Sequence, residues 1–187
     1  MKNTDENTCH QSRIDDKNKS VAKFIPGNKT KKPFLVHVAT KPIEHIVNLN
    51  DDPSIPNESW KVYKHQRNGI FKWNPNEIQL YLSEKQKSGK SINGDKLRKE
   101  LEGKQVFNAN LLDYLLGHPH LIPEDWEKDE HGHTRHIFFW GTIYRNPMYY
   151  KCLYVRYLHK HYGVWDWYFR KLPRGFSACN PAALRVN

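Results

Sequence analysis

The hydrophobic and polar positions divide this chain into an unpatterned start and a strongly patterned remainder. Residues 1–33 are rich in Asn, Lys, Asp, Ser and Thr and carry no apolar period, which predicts a disordered or loosely attached basic arm. Phe34–Val38 is a short β-type run and Ile43–Leu49 a weaker apolar patch, followed by a loop marked by Pro53 and Pro56. The expected organisation is a single domain over residues 34–187, with its compact part over 60–176.

From Trp60 the pattern sharpens. Trp60/Val62/Tyr63 and Gly69–Trp73 read as strand material broken by a turn at Arg67-Asn68-Gly69. Ile78, Leu80 and Leu82 alternate with Gln79 and Tyr81, so Glu77–Ser83 is expected to be a further strand; Pro75 also suits a short helical turn. Leu97 and Leu101 lie four apart behind Asp95, predicting an amphipathic helix over 95–102. Leu111, Leu112, Leu115 and Leu116 form an apolar stripe on a second helix, capped by Asn108 or Asn110 and ended by Gly117 and Pro119. Pro123–Trp126 reads as one more helical turn, and residues 127–135 as a polar loop.

Three β-rich runs follow: His136–Arg145, Cys152–Lys160 and Val164–Leu172. Their connections are too short for crossover helices, so they predict an antiparallel meander. The tail from Ser177 reads as a polar close with one possible helical turn. The fold class expected is α+β: an antiparallel sheet, made of this meander and N-terminal strands, packed against two or three short helices.

Charge changes the picture at one end. The net charge is +10, and residues 131–187 hold nine Lys and Arg against Asp166 alone. The same stretch holds 14 of the 24 aromatic residues. That asymmetry points to an anionic partner, either nucleic acid or an acidic protein surface. Three distant cysteines argue against a disulfide scaffold or a Cys-based zinc site. No apolar run approaches the roughly 18–20 residues needed to span a bilayer. The N-terminus has no apolar signal segment. These features read as cytoplasmic, with no membrane association.

Strand parity nominates the binding residues. Leu153, Val155 and Tyr157, with Trp165, Trp167 and Phe169, look like the core side, packed on the leucine stripe. The opposite side would offer Tyr154, Arg156, Tyr168 and Arg170 to solvent, with Arg145, Lys160, His159 and His161 around it. Tyrosine rings can stack on bases while guanidinium groups take phosphates. Tyrosine and arginine are also ordinary residues for a solvated sheet face.

Three H-x-H pairs occur: His118/His120, His131/His133 and His159/His161. None has an accompanying Cys or acid at usual metal-ligand spacing, so they read as surface histidines, and no metal or cofactor is expected. No Walker A loop, nucleophile elbow or HExxH motif is present, and no catalytic residue is assigned. A metal-independent nuclease using His159 and His161, with Arg156 or Lys160 as phosphate clamp, is the least favoured reading.

The stretch NANLLDYLLGHPHLIPEDW, followed by FFWGTIYR, LYVRYL and GVWDWYFRKL, resembles a family of small bacterial hypothetical proteins. The resemblance covers roughly residues 70–183 and implies a bacterial or mobile-element context, with no activity attached. The leading expectation is a non-enzymatic protein that binds nucleic acid. The alternative is an interaction or inhibitor protein with an acidic partner.

Overall fold

The computed structural model describes residues 43–148 and 152–186; the arm over 1–33 and the run Phe34–Val38 lie outside the described residues. The fold is α+β, with one large sheet flanked on both faces. In chain order the strands and helices are β1 (Ile46–Asn48), β2 (Lys61–His65), β3 (Ile70–Lys72), β4 (Ile78–Tyr81), α1 (Glu84–Lys87), β5 (Ile92–Asn93) and α2 (Gly94–Glu100). There follow α3 (Ala109–Gly117), β6 (Ile137–Arg145), β7 (Leu153–His161), β8 (Val164–Lys171), β9 (Gly175–Phe176) and β10 (Ala182–Arg185). Short 3-10 turns at Pro75–Glu77, Pro119–Leu121 and Glu124–Trp126 sit where proline opens a turn.

The large sheet runs β4-β10-β6-β7-β8, with β2 also pairing β6. Strands β6, β7 and β8 form the expected antiparallel meander. β10 is the departure from expectation. The tail extends rather than coiling, and inserts between β4 (antiparallel) and β6 (parallel). Its Ala182, Ala183 and Leu184 are buried, small enough to lie under both flanking layers. The packed body therefore reaches beyond 60–176 at both ends, since Val47 and Leu49 are buried as well.

Helix α3 follows from its sequence. Asn108 caps it by accepting from the Asn110 backbone N–H, and Leu111, Leu112 and Leu115 are fully buried against Ile137, Phe139 and Leu158. Each such leucine contributes roughly 1.5–3 kcal/mol by leaving water. The other sheet face carries Phe138, Trp140, Ile143, Val155 and Tyr157, which pack with Leu97 and Leu101 of the α2 segment, Ile92 of β5 and Phe176 of β9. The sheet is thus sandwiched, and β6 is buried along nearly its whole length.

β6 serves both layers by breaking its own register. Phe138 pairs with Tyr157, but Ile143 pairs with Val155, so residues 139–142 oppose Arg156 alone. The irregularity turns Gly141 and Thr142 toward the start of α3. The Gly141 N–H donates to the Phe107 carbonyl, and Thr142 Oγ1 accepts from the Ala109 N–H. A Cβ on Gly141 would come within 2.8–2.9 Å of Asn108 backbone and Cβ atoms, so only glycine fits there. Asn108 is itself fully buried and donates through Nδ2 to the carbonyls of Leu49 and Gln66, tying α3 to two loops.

Candidate functional site

The turn between β7 and β8 decides which side chains meet. Tyr162 and Gly163 both have positive φ (48° and 81°), as a two-residue type I′ hairpin requires. His161 then pairs with Val164, and every even residue of β7 faces an odd residue of β8. Arg156 therefore lies across from Phe169, while Tyr157 meets Tyr168 and Val155 meets Arg170. The four residues nominated as one solvent face are divided between opposite faces: Tyr154 and Arg156 on the α3 side, Tyr168 and Arg170 on the other.

On the α3 side the nominated residues are structural. Tyr154 is 1% exposed, packed with Trp60 and Phe169. Arg156 is 3% exposed and grips Asp113 of α3 through two bonds, Nη2–Oδ1 at 2.6 Å and Nη1–Oδ2 at 3.2 Å. Its guanidinium lies 4.1 Å from the Trp167 ring centroid. The leucine helix thus packs on the face assigned to solvent, because Asp113 projects from it to neutralise the arginine. Lys160 is on this side too, paired to Glu127 at 2.8 Å. Arg145 sits at the far end of β6, over the Tyr63 ring at 4.6 Å.

The other face is open where α2 and β9 stop covering it. There His159 and His161 of β7 lie with Tyr168 and Asp166 of β8, beside the buried Tyr157, and His136 adjoins them at the start of β6. Tyr168 is 55% exposed. Arg170 is half-buried, and its Nη1 is held at 2.8 Å by the Gly175 carbonyl and at 3.4 Å by Asn180 Oδ1. Both partners are neutral, and among the described residues no acid pairs with it. The His136 ring stacks obliquely on Tyr157 at 4.7 Å. Burial first, then the charges of His159 and Arg170, push the His136 pKa down to about 4, so it is neutral at pH 7. Burial also lowers His159, partly opposed by Asp166.

Arg156 and Lys160, the clamp of the nuclease reading, lie on the opposite face from His159 and His161. That geometry gives an acid/base pair on this face no such clamp.

Two clusters invisible to local spacing lie outside this face. His118 and His120 meet His45, with ring centroids 5.6–6.1 Å apart. His45 Nδ1 is 2.9 Å from the Tyr114 hydroxyl, and His118 Nδ1 is 2.9 Å from the Tyr114 carbonyl. The second cluster joins the 127–135 loop to the segment before β10. Asp129 Oδ2 lies 3.2 Å from His133 Nδ1 and 3.7 Å from Cys179 Sγ. Burial would raise the Asp129 carboxyl, but backbone bonds from His133 and His131 and the His133 ring outweigh it and hold it at about 2. Burial and the Asp129 charge raise the Cys179 thiol. Asp129 and Cys179 are 50 positions apart, which is why sequence spacing did not reveal them.

Among the described residues no helix is long and apolar enough to cross a membrane. Comparison with models of known families, with curated proteins and with solved structures finds no match to this chain.

Proposed function

We propose that this chain is a non-enzymatic binding protein that takes single-stranded nucleic acid on the open sheet face of His136, His159, His161, Tyr168 and Arg170. The observation that carries this reading is Arg170: a half-buried guanidinium fixed by two neutral oxygens, with no acid paired to it among the described residues, two positions along β8 and on the same face as the half-exposed ring of Tyr168. A phosphate supplies the missing charge, and a base can stack on the tyrosine. The excess of nine cations over one acid in residues 131–187 would steer a polyanion to this end of the chain. A cytoplasmic location belongs to the same reading, as does the bacterial or mobile-element context of the family resemblance.

The test is fluorescence anisotropy with a labelled single-stranded oligonucleotide across a salt series. Affinity should fall steeply with salt, and Arg170→Ala should flatten the log–log slope by about 0.7, the loss of one phosphate contact. Tyr168→Ala should weaken binding roughly tenfold or more, in line with about 1–3 kcal/mol per stacked base. Arg67→Ala, an exposed residue paired to Asp52, should change neither. No binding at low salt overturns the reading, as does binding indifferent to both face variants. A nuclease-insensitive, stoichiometric protein partner whose capture depends on Arg170 would move the same face to the acidic-protein alternative.

A further inference from the structure

We propose that Asp129, His133 and Cys179 form a site for a borderline divalent transition metal, zinc foremost, that clips the 127–135 loop to the segment leading into β10. Carboxylate, imidazole and thiolate together are a donor set suited to zinc, and chemically distinct from the oxygen-only set that calcium or magnesium takes. Tetrahedral coordination with a metal–sulfur bond of about 2.3 Å and metal–nitrogen and metal–oxygen bonds of about 2.0–2.1 Å sets the spacing of the donors. It places sulfur and oxygen ligands roughly 3.5 Å apart, and nitrogen and oxygen ligands roughly 3.3 Å apart. The observed separations are 3.7 Å for Cys179 Sγ to Asp129 Oδ2 and 3.2 Å for His133 Nδ1 to the same oxygen. All three donor atoms lie within 4.8 Å of one another.

The second observation is how the carboxylate is held. Asp129 Oδ1 accepts the backbone N–H groups of His131 at 2.9 Å and His133 at 2.8 Å, which leaves Oδ2 aimed at the other two donors. Such orienting bonds to the non-coordinating atom are what a metal ligand needs. The loop is closed on itself by the Lys128–Thr134 bridge, and the Cys179 carbonyl is fixed by the His136 N–H at 2.8 Å. Both supports of the site are therefore anchored to the sheet. The His133 side chain is 66% exposed, so a metal has a path from solvent. On binding, the Cys179 sulfur releases its proton to solvent and donates a lone pair. His133 Nδ1 gives up its hydrogen bond to Asp129 and donates a lone pair as the neutral ring with its proton on Nε2, an imidazolium first releasing its second proton to solvent, and no redox change occurs.

The experiment titrates the reduced full-length chain with Co2+ and then with Zn2+. One equivalent of Co2+ should bring up a thiolate-to-cobalt charge-transfer band, and one equivalent of Zn2+ should abolish it. Zn2+ should also raise the melting temperature, and a chelator should reverse that. Cys179→Ser should remove the charge-transfer band with an unchanged far-ultraviolet circular dichroism spectrum, and Asp129→Asn should loosen Zn2+ at least tenfold. Cys152→Ser should keep the full response. A cobalt spectrum without a thiolate band overturns the proposal, as does a band that survives Cys179→Ser. Metal binding lost in His118→Ala but intact in Cys179→Ser would place the ion at the His45/His118/His120 cluster instead, and would also overturn it.

Discussion

Arg156 and Arg170 stand on adjacent strands, one register step apart, and the sheet treats them in opposite ways. Arg156 faces α3, is almost fully buried, and has its charge cancelled by Asp113 and its plane covered by Trp167. Arg170 faces the other layer, half-buried, near the rings of Phe138 and Phe176, and is met by a carbonyl and an amide oxygen. A buried, neutralised arginine is part of the scaffold, because ligand access would require unpacking a helix. A half-buried arginine with neutral partners is held in one orientation without having its charge consumed. The same residue type thus serves architecture on one face and recognition on the other, and the acid on the facing helix makes the difference.

The comparison breaks most sharply at Arg156. Arg156→Ala leaves the partly buried Asp113 beside Ser54 without its cation and opens the space under Trp167; discounted for the water that reaches Asp113, it should cost about 2–4 kcal/mol of unfolding free energy, read by urea denaturation. Arg156→Met with Asp113→Leu should recover most of that loss, since an apolar pair of similar volume can replace a buried ion pair. Gly141→Ala tests the bulge that lets β6 serve both layers. The added methyl has backbone on its far side and nowhere to go, so a loss of about 1–3 kcal/mol is expected in the same assay.

The pH dependence sharpens the open face. His136 has its folded-state pKa lowered to about 4 against an ordinary value of 6.5. In the unfolded chain the ring takes up a proton near pH 6.5, while the folded protein does not. The stability this ring contributes is therefore complete above pH 6.5 and lost as pH falls from there toward 4. The expected loss is roughly 1–2 kcal/mol once the ring's partial exposure to water is allowed for. His136→Gln should flatten that part of the profile. The smallest effect belongs to Arg170→Ala, which should change stability by no more than about 1 kcal/mol while weakening oligonucleotide binding. A stability loss as large as that of Arg156→Ala would erase the distinction between the two arginines.

Much of this fold can be read from local pattern. The leucine stripe with Asn108 before it predicted α3, and the alternation through residues 78–82 predicted β4. The faces of the meander were also within reach. Counting the two-residue Tyr162-Gly163 turn sets the β7–β8 register, and with it the separation of Arg156 from Arg170. Grouping residues by parity alone, without that register, joined side chains that point apart. Other features had no local signal. Arg156 is buried only because Asp113 reaches it from 43 positions away. β10 contains two alanines and no β-branched residue before Val186, so its central place in the sheet comes from size and position, not propensity. The Asp129/His133/Cys179 cluster joins two loops whose proximity follows from β10 lying beside β6.

That insertion of β10 has a kinetic consequence. β4 reaches the rest of the sheet through β10, and the register joins Tyr81 to Ala182 across about a hundred residues. The meander of β6, β7 and β8 closes through short local turns and can form early. The β4 edge cannot dock until the distant segment arrives, and closing so large a loop is slow relative to hairpin formation. Refolding should therefore show a meander protected from hydrogen exchange before β4 and β10, which gain protection together as a single cooperative unit.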